Sequence, residues 1–305
     1  MKLVTCTHEG RTLTGMWIED RVLDLAAAGR RMNEAADLGS MLSIIRGGEA
    51  SLAALQRMES RRDEFADAWL EAHAVRLLAP IPAPVRNVFC VGRNYADHVK
   101  EGYAKAGKEI KLPEVPQFFT KATGAINGPD GDVRLDPRVT RLLDYEVELA
   151  VIIGSAGRDI PAHRAYEHVF GYSVLNDMTA RDLQRRHEQW FKGKSLDTTC
   201  PLGPCIVDRA SLGDPATLEL SLSVNGEERQ RAKVAQMIFD MPTIIASLSS
   251  GLTLQPGDII ATGTPAGVGY AMDPPRAHYG VESEESKNHR YDEFRNQNIE
   301  RSSIS

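Results

Sequence analysis

A chain of 305 residues, 42% of them hydrophobic, buries a sizeable core and forms one large domain or two unequal ones. A formal net charge of −6 argues against nucleic acid as the main partner, and no apolar run reaches the length of a membrane span. The start, Met1-Lys2-Leu3-Val4-Thr5-Cys6, lacks a secretory leader's apolar stretch, and Cys6, Cys90, Cys200 and Cys205 fit no zinc or C-x-x-C spacing, so reduced thiols in a cytoplasmic protein are expected.

Residues 1–25 read as short strands joined by turns at Glu9-Gly10-Arg11 and Glu19-Asp20. From Met32 the pattern turns helical, with Leu42, Ile45, Leu52, Leu55 and Met58 spaced along one apolar face. A charged helix is expected to follow over Glu59–Ala74. Pro80-Ile81-Pro82-Ala83-Pro84 is a stiff connector. It divides a small N-terminal α+β domain at 1–80, without recognisable chemistry, from a larger domain at 84–275.

Beyond the connector, Asn87-Val88-Phe89-Cys90-Val91-Gly92 reads as a buried strand turning into a helix near Tyr95. On that helix His98 and Glu101 share a side, so the carboxylate can orient the imidazole and raise its basicity; an ordinary surface pair has the same spacing. Gln117–Lys121 is a further strand, followed by a polar loop from Thr123 to Pro137.

Asp144–Gly154 is a strand on which Glu146 and Glu148 project one way and Val147 and Leu149 the other. Adjacent carboxylates repel unless a cation sits between them, although a solvated acidic edge gives the same pattern. Phe170–Asn176 reads as another strand, with Asp177 at its end and a helical pattern through Asp182. Three carboxylates without Cys or His suit a hard ion, Mg²⁺ or Mn²⁺ before Zn²⁺, and leave positions for water and substrate. Lys192 and Lys194 then follow, either to neutralise a substrate anion or as loop cations in water.

Asn225-Gly226 is a type I′ hairpin signal, and a helix is expected over Met241–Ser250, closed by Gly251. The last strand runs into Gly263-Thr264-Pro265-Ala266-Gly267-Val268-Gly269. This loop lacks the Gly-Lys-Ser/Thr end of a phosphate loop, but its N–H groups and the Thr264 hydroxyl can hold a carboxylate.

Val91-Gly92-Arg93-Asn94-Tyr95-Ala96-Asp97-His98, Asp144-Tyr145-Glu146-Val147-Glu148, Asn176-Asp177-Met178-Thr179-Ala180-Arg181-Asp182, Lys192-Gly193-Lys194-Ser195 and Thr262–Gly269 occur in this order. Together they resemble the fumarylacetoacetate hydrolase family in its bacterial two-part form, from about Asn87 to Tyr270. The resemblance implies an α+β, mostly β fold of the family's mixed β-roll type, in a homodimer. It implies Glu146, Glu148 and Asp177 as Mg²⁺ or Mn²⁺ ligands, and His98 with Glu101 as a water-activating dyad. It also implies Lys194 as the lysine facing substrate, and Arg181, Gln184 and Thr264 as holders of the substrate's carboxylate end. The activity implied is hydrolysis of a C–C bond in an acylpyruvate-like 2,4-diketo acid from aromatic or sugar-acid breakdown, through a pyruvate enolate. The same enolate serves isomerisation or decarboxylation of a related 2-oxo diacid, of the 5-carboxymethyl-2-hydroxymuconate or oxaloacetate type. An inactive metal-binding homologue is the reading from another class.

After Pro274-Pro275 the chain departs from the family, which continues into a second Pro-Gly-Asp turn and two closing strands. Here residues 276–305 are charged and Ser-rich and read as a disordered tail. Loss of closing strands would expose sheet edges, as in a truncated or frame-altered variant; a natural divergent end is the rival expectation.

Overall fold

Two tight turns set the first layer. β1 (Lys2–His8), β2 (Arg11–Ile18) and β3 (Arg21–Asp24) form an antiparallel meander, with Glu9, Gly10 and Glu19 at positive φ in the turns. The computed structural model describes residues 1–276, so nearly all of the tail discussed above lies outside the described residues. Asp24 caps α1 (Leu25–Met32) by accepting the Ala27 N–H. α2 (Met41–Arg46) and α3 (Gly48–Ser60) bury Met41, Ile44, Ile45, Leu55 and Met58; of the expected apolar face Ile45, Leu55 and Met58 are buried, while Leu42 and Leu52 pack half-buried against the core. The charged helix expected over Glu59–Ala74 is not formed. Short 3-10 turns flank β4 (Trp69–Glu71), and β5 (Arg76–Leu77) follows. β4 pairs with β3 and β5 with β1, so a waiting sheet edge outweighs local helix propensity.

After the proline connector, β6 (Val88–Gly92) turns into α4 (Ala96–Lys105), and β7 (Gln117–Lys121) returns antiparallel to it. β8 (Ile126–Asn127), β9 (Leu143–Asp144), β10 (Val147–Ile153) and β11 (Val169–Asn176) lead to β12 (Thr179–Ala180). The helical pattern expected from Asp177 starts later. β12 pairs with β9, holding residues 177–180 extended, and α5 (Arg181–Arg186) begins beyond them. α6 (Phe191–Lys194), β13 (Cys200–Asp208), α7 (Arg209–Leu212), the hairpin β14 (Glu219–Val224) and β15 (Glu227–Lys233), α8 (Met241–Ser249) and β16 (Ile259–Ala261) complete the order. Asn225 and Gly226 have φ of 53° and 76°, as a type I′ turn requires.

The architecture is α+β and mostly sheet. One 12-stranded sheet runs β4-β3-β2-β1-β13-β11-β10-β16-β6-β7, with β5 and β8 attached to β1 and β13. It is open, with β4 and β7 at its two ends. β1 pairs with β13, placing Leu3 opposite Ile206, so residues 1–80 and the remainder share one sheet across the proline connector. They share a core as well: Leu3, Leu55 and Met58 belong to the same apolar cluster as Val88, Ile152 and Ile259. β10 lies mid-sheet, between β11 and β16. Its Val147, Leu149, Val151 and Ile153 pack with Tyr172, Val174 and Ile245 on one face, while Ala150 and Ile152 enter the other cluster. All four cysteines are free and buried, and no described helix is long and apolar enough to cross a membrane.

Candidate functional site

β10 and β11 run antiparallel, so the start of one lies beside the end of the other. Backbone pairing fixes this corner: Asp177 N–H donates to the Glu146 carbonyl at 2.8 Å, and Glu146 N–H to Asn176 Oδ1 at 2.9 Å. One carboxylate oxygen from each of Glu146, Glu148 and Asp177 lies within 4.8 Å of the others, and all three residues are buried. The acidic strand is therefore central, not a solvated edge.

Buried carboxylates need counter-charges. Lys194 Nζ lies 2.6 Å from Glu146 Oε2 and 2.6 Å from Asp177 Oδ2. Lys121 Nζ lies 2.9 Å from Asp177 Oδ1, with neither side chain exposed. Arg181 reaches Glu146 Oε1 at 2.7 Å through Nη1 and Asp144 Oδ2 at 2.9 Å through Nε. Burial would raise the Glu146 carboxyl, but Lys194 and Arg181 beside it bring it down to about 2. Burial opposes the Lys194 charge, and the Asp177 and Glu146 carboxylates more than restore it. Glu148 differs. No described cation pairs with it; its Oε2 accepts the Gly263 N–H at 2.7 Å. Burial pushes its carboxyl well above the usual range, and the Asp177 and Glu146 charges push it further. An all-oxygen trio with one such carboxylate fits a hard divalent cation, which would relieve the excess negative charge.

α4 supplies the second component. His98 Nδ1 and Glu101 Oε1 are 2.8 Å apart, and Glu101 Oε2 accepts the Gly267 N–H at 2.9 Å. Glu101 is thus held at both oxygens, and with Nδ1–H donated to it the imidazole presents Nε2 as a base. Asn94 fixes the approach to α4, donating to Thr262 O at 2.7 Å and accepting the Phe239 N–H at 2.8 Å.

The glycine-rich loop explains itself sterically. Gly263 and Gly267 have φ of 101° and 106°, and an added Cβ would lie 2.6 Å from Asn94 Cβ or 2.0 Å from the Arg229 carbonyl. Three of its N–H groups and that of the next residue bind the protein's own carboxylates: Gly263 on Glu148, Gly267 on Glu101, and Gly269 and Tyr270 on Asp144. The expectation that these amides hold a ligand's carboxylate is corrected accordingly. The Thr264 hydroxyl accepts from Gln230 Nε2 at 2.8 Å, while Gln230 Oε1 accepts the Val147 N–H at 2.9 Å.

His98, Glu146, Glu148, Arg181, Gln184, Lys194 and Thr264 line a single cavity of about 390 Å³. Asp177 and Glu101 stand behind its wall, and Lys192 is exposed. Arg181 carries a qualification: its donors already go to Asp144, Glu146 and, at 3.3 Å, Gln184 Oε1. Sequence reasoning missed Lys121, Asp144 and Gln230. Lys121 had one signal, a cation sharing a strand face with Phe119.

A family profile described as fumarylacetoacetate (FAA) hydrolase, C-terminal, matches residues 87–290. The oxaloacetate tautomerase YisK of Bacillus subtilis is 43% identical over 282 residues, spanning 90% of this chain and 92% of its own. A fumarylacetoacetate hydrolase from psychrophilic Exiguobacterium antarcticum superposes with a TM-score of 0.73 at 43% identity, covering 90% of each chain. A maleylpyruvate hydrolase from Sphingobium sp. SYK-6, solved with manganese(II) and pyruvate, gives a TM-score of 0.70 at 32% identity, over 88% of this chain and 90% of its own.

Proposed function

Because the chain belongs to the fumarylacetoacetate hydrolase family, we propose that it is a divalent-metal-dependent isomerase of a 2-oxo diacid, interconverting the keto and enol forms of oxaloacetate. The observation that carries proton transfer in this cavity is the His98–Glu101 dyad, pinned at both carboxylate oxygens beside Glu146 and Glu148, and the tautomerase relative favours isomerisation as its use. Glu146, Glu148 and Asp177 would hold Mg²⁺ or Mn²⁺, which when bound supplies positive charge for the substrate's carboxylate and 2-oxo group. His98 Nε2 takes a proton from C3, and the resulting imidazolium gives a proton back at the 2-oxo oxygen, so no atom is gained or lost and the dyad is restored. Lys194, kept charged by its carboxylate neighbours, faces the cavity where negative charge develops on that oxygen. Gln184 and Thr264 line the same cavity beside it, in reach of the substrate's carboxylates.

The sequence favoured C–C bond hydrolysis, with isomerisation as the alternative. The tautomerase relative, similar over nine-tenths of the chain, supports the alternative better. Hydrolysis remains the second reading because the same dyad can activate water and the maleylpyruvate hydrolase shares the fold. Oxaloacetate and an acylpyruvate, each incubated with Mn²⁺-loaded protein, separate the two. Enol absorbance should relax faster at constant mass for oxaloacetate; addition of water to the acylpyruvate alone would replace the isomerase reading, and turnover of neither would leave a binding protein.

A further inference from the structure

The cations at the acid cluster all have carboxylate partners. Three other cations of the same cavity wall, Arg93, Lys108 and Arg185, have none among the described residues, and of these Arg93 is the one set between two rings on a strained backbone. Arg93 follows the last residue of β6 and lines the cavity, yet its guanidinium makes no ion pair or hydrogen bond with any described residue. Its backbone φ is 57°, in the left-handed region that side chains rarely adopt. Both neighbours impose this. Gly92 lies so close beneath Trp190 that an added Cβ would meet the ring at 2.3 Å, and Asn94 is fully buried and bonded to Phe239 and Thr262.

The side chain is positioned as firmly as the backbone. Arg93 Cζ lies 5.6 Å from the Tyr103 ring centroid and 5.6 Å from that of Trp190. Trp190 meets Phe119 edge-on at 5.2 Å, and Phe119 in turn lies 5.1 Å from Lys194 Nζ. A series of rings thus links Arg93 to the ammonium at the acid cluster, setting the two cations at different points of one cavity wall. The rings engage the guanidinium without using its N–H groups, which form the rigid fork that suits a carboxylate. Glu188 also lines the cavity, but Arg93 does not pair with it; Arg185 and Lys108 add positive charge to the same wall.

Resting on the reading of a 2-oxo diacid substrate given above, we propose that Arg93 binds the distal carboxylate and makes the site selective for dianions. The carboxylate and 2-oxo group then face the acid cluster, while the far carboxylate takes the fork of Arg93. A site built to hydrogen-bond a group discriminates strongly against ligands that lack it. Monoanionic 2-oxo acids such as pyruvate would accordingly bind poorly.

Calorimetric titration of Mn²⁺-loaded wild type, R93Q and R93K with two probes tests this. One is 3,3-difluorooxaloacetate, a 2-oxo dianion that cannot enolise; the other is oxalate, whose short frame reaches only the acid cluster. Wild type should bind both. R93Q should lose roughly tenfold to a hundredfold in difluorooxaloacetate affinity, as expected for one charge-assisted pair, with oxalate unchanged and R93K between the two. Equal losses on both probes, no loss on either, or failure of wild type to bind difluorooxaloacetate would overturn the assignment. Wild type that binds the difluoro compound but does not turn over oxaloacetate would sink the isomerase reading while leaving Arg93 in place.

Discussion

Two buried regions of this sheet are organised on opposite principles. Around Leu55, where α3 packs on the N-terminal strands, the interior consists of Leu3, Leu23, Ile44, Ile45 and Met58, all without exposed surface. At the β10–β11 corner the residues are also buried, beside the cavity, but they are Asp144, Glu146, Glu148 and Asp177 against Lys121, Arg181 and Lys194. Apolar contacts are non-directional, so the first region tolerates exchange of one shape for a similar one. The second depends on particular atoms at particular distances, because each buried charge is costly without its partner. Stability and chemistry are thereby assigned to different regions of one sheet.

Three substitutions bear on that division, the largest effect first. His98→Ala should lower turnover about 10²–10⁴-fold, roughly 3–5 kcal/mol in the barrier, because the base is gone. Its melting temperature and Mn²⁺ affinity should change little, since His98 makes its hydrogen bond to Glu101 and none to the acid trio; a matching drop in the melt would mean the dyad is structural. Lys121→Met should cost up to about 3–5 kcal/mol of unfolding free energy, the usual result of breaking a buried pair, with Lys194 left as the remaining counter-charge of Asp177. Denaturant unfolding measures this, and a stabilised variant would show that Asp177 finds another counter-charge. Leu55→Ala should cost about 2–5 kcal/mol by leaving a cavity, with kcat/KM for oxaloacetate unaltered. A change in KM would show that the apolar end and the site are mechanically coupled.

These residues also differ in how far the sequence disclosed them. Glu146 and Glu148 were legible as a pair two residues apart, although the strand expected over Asp144–Gly154 is interrupted and β10 begins only after Glu146; His98 with Glu101 was legible because a helix brings positions three apart together. Asp177 was legible as a strand end. Lys121 was not: it lies on β7, four places from β11 in the strand order, and its ion pair with Asp177 is a tertiary contact that no local pattern encodes. The glycine-rich loop announced itself by composition, yet its amides serve internal carboxylates, a role that its composition does not distinguish from ligand binding. Residues 59–74 were misread for the converse reason, since helix-forming composition yielded to the free edge of β3. The nature of the reaction lay deepest. One dyad and one acid cluster serve both hydrolysis and isomerisation, so the residues define the charged intermediate more sharply than the substrate.

The smallest effect concerns Glu148, where the charged region carries its unrelieved strain. Its carboxyl is raised in the folded protein by burial and by Asp177 and Glu146, whereas in the unfolded chain it titrates near 4.5. A raised carboxyl binds its proton more tightly when folded, so the metal-free protein loses stability as pH climbs from about 4.5 through the folded value. Glu146 works the other way: lowered to about 2, it contributes stability above about 4.5 that is lost only as pH falls towards 2. Of the two carboxylates, Glu148 is the one that contributes a slope above about pH 5, and a divalent cation that takes its charge should reduce it. The gain in melting temperature on adding Mn²⁺ should then grow with pH above that point, beyond the constant increment expected from mass action alone. Glu148→Gln, which stays neutral, should flatten the metal-free profile. A metal-induced gain that is the same at pH 5 and pH 8 would mean Glu148 is already ionised in the folded protein, and would move the excess negative charge elsewhere in the cluster.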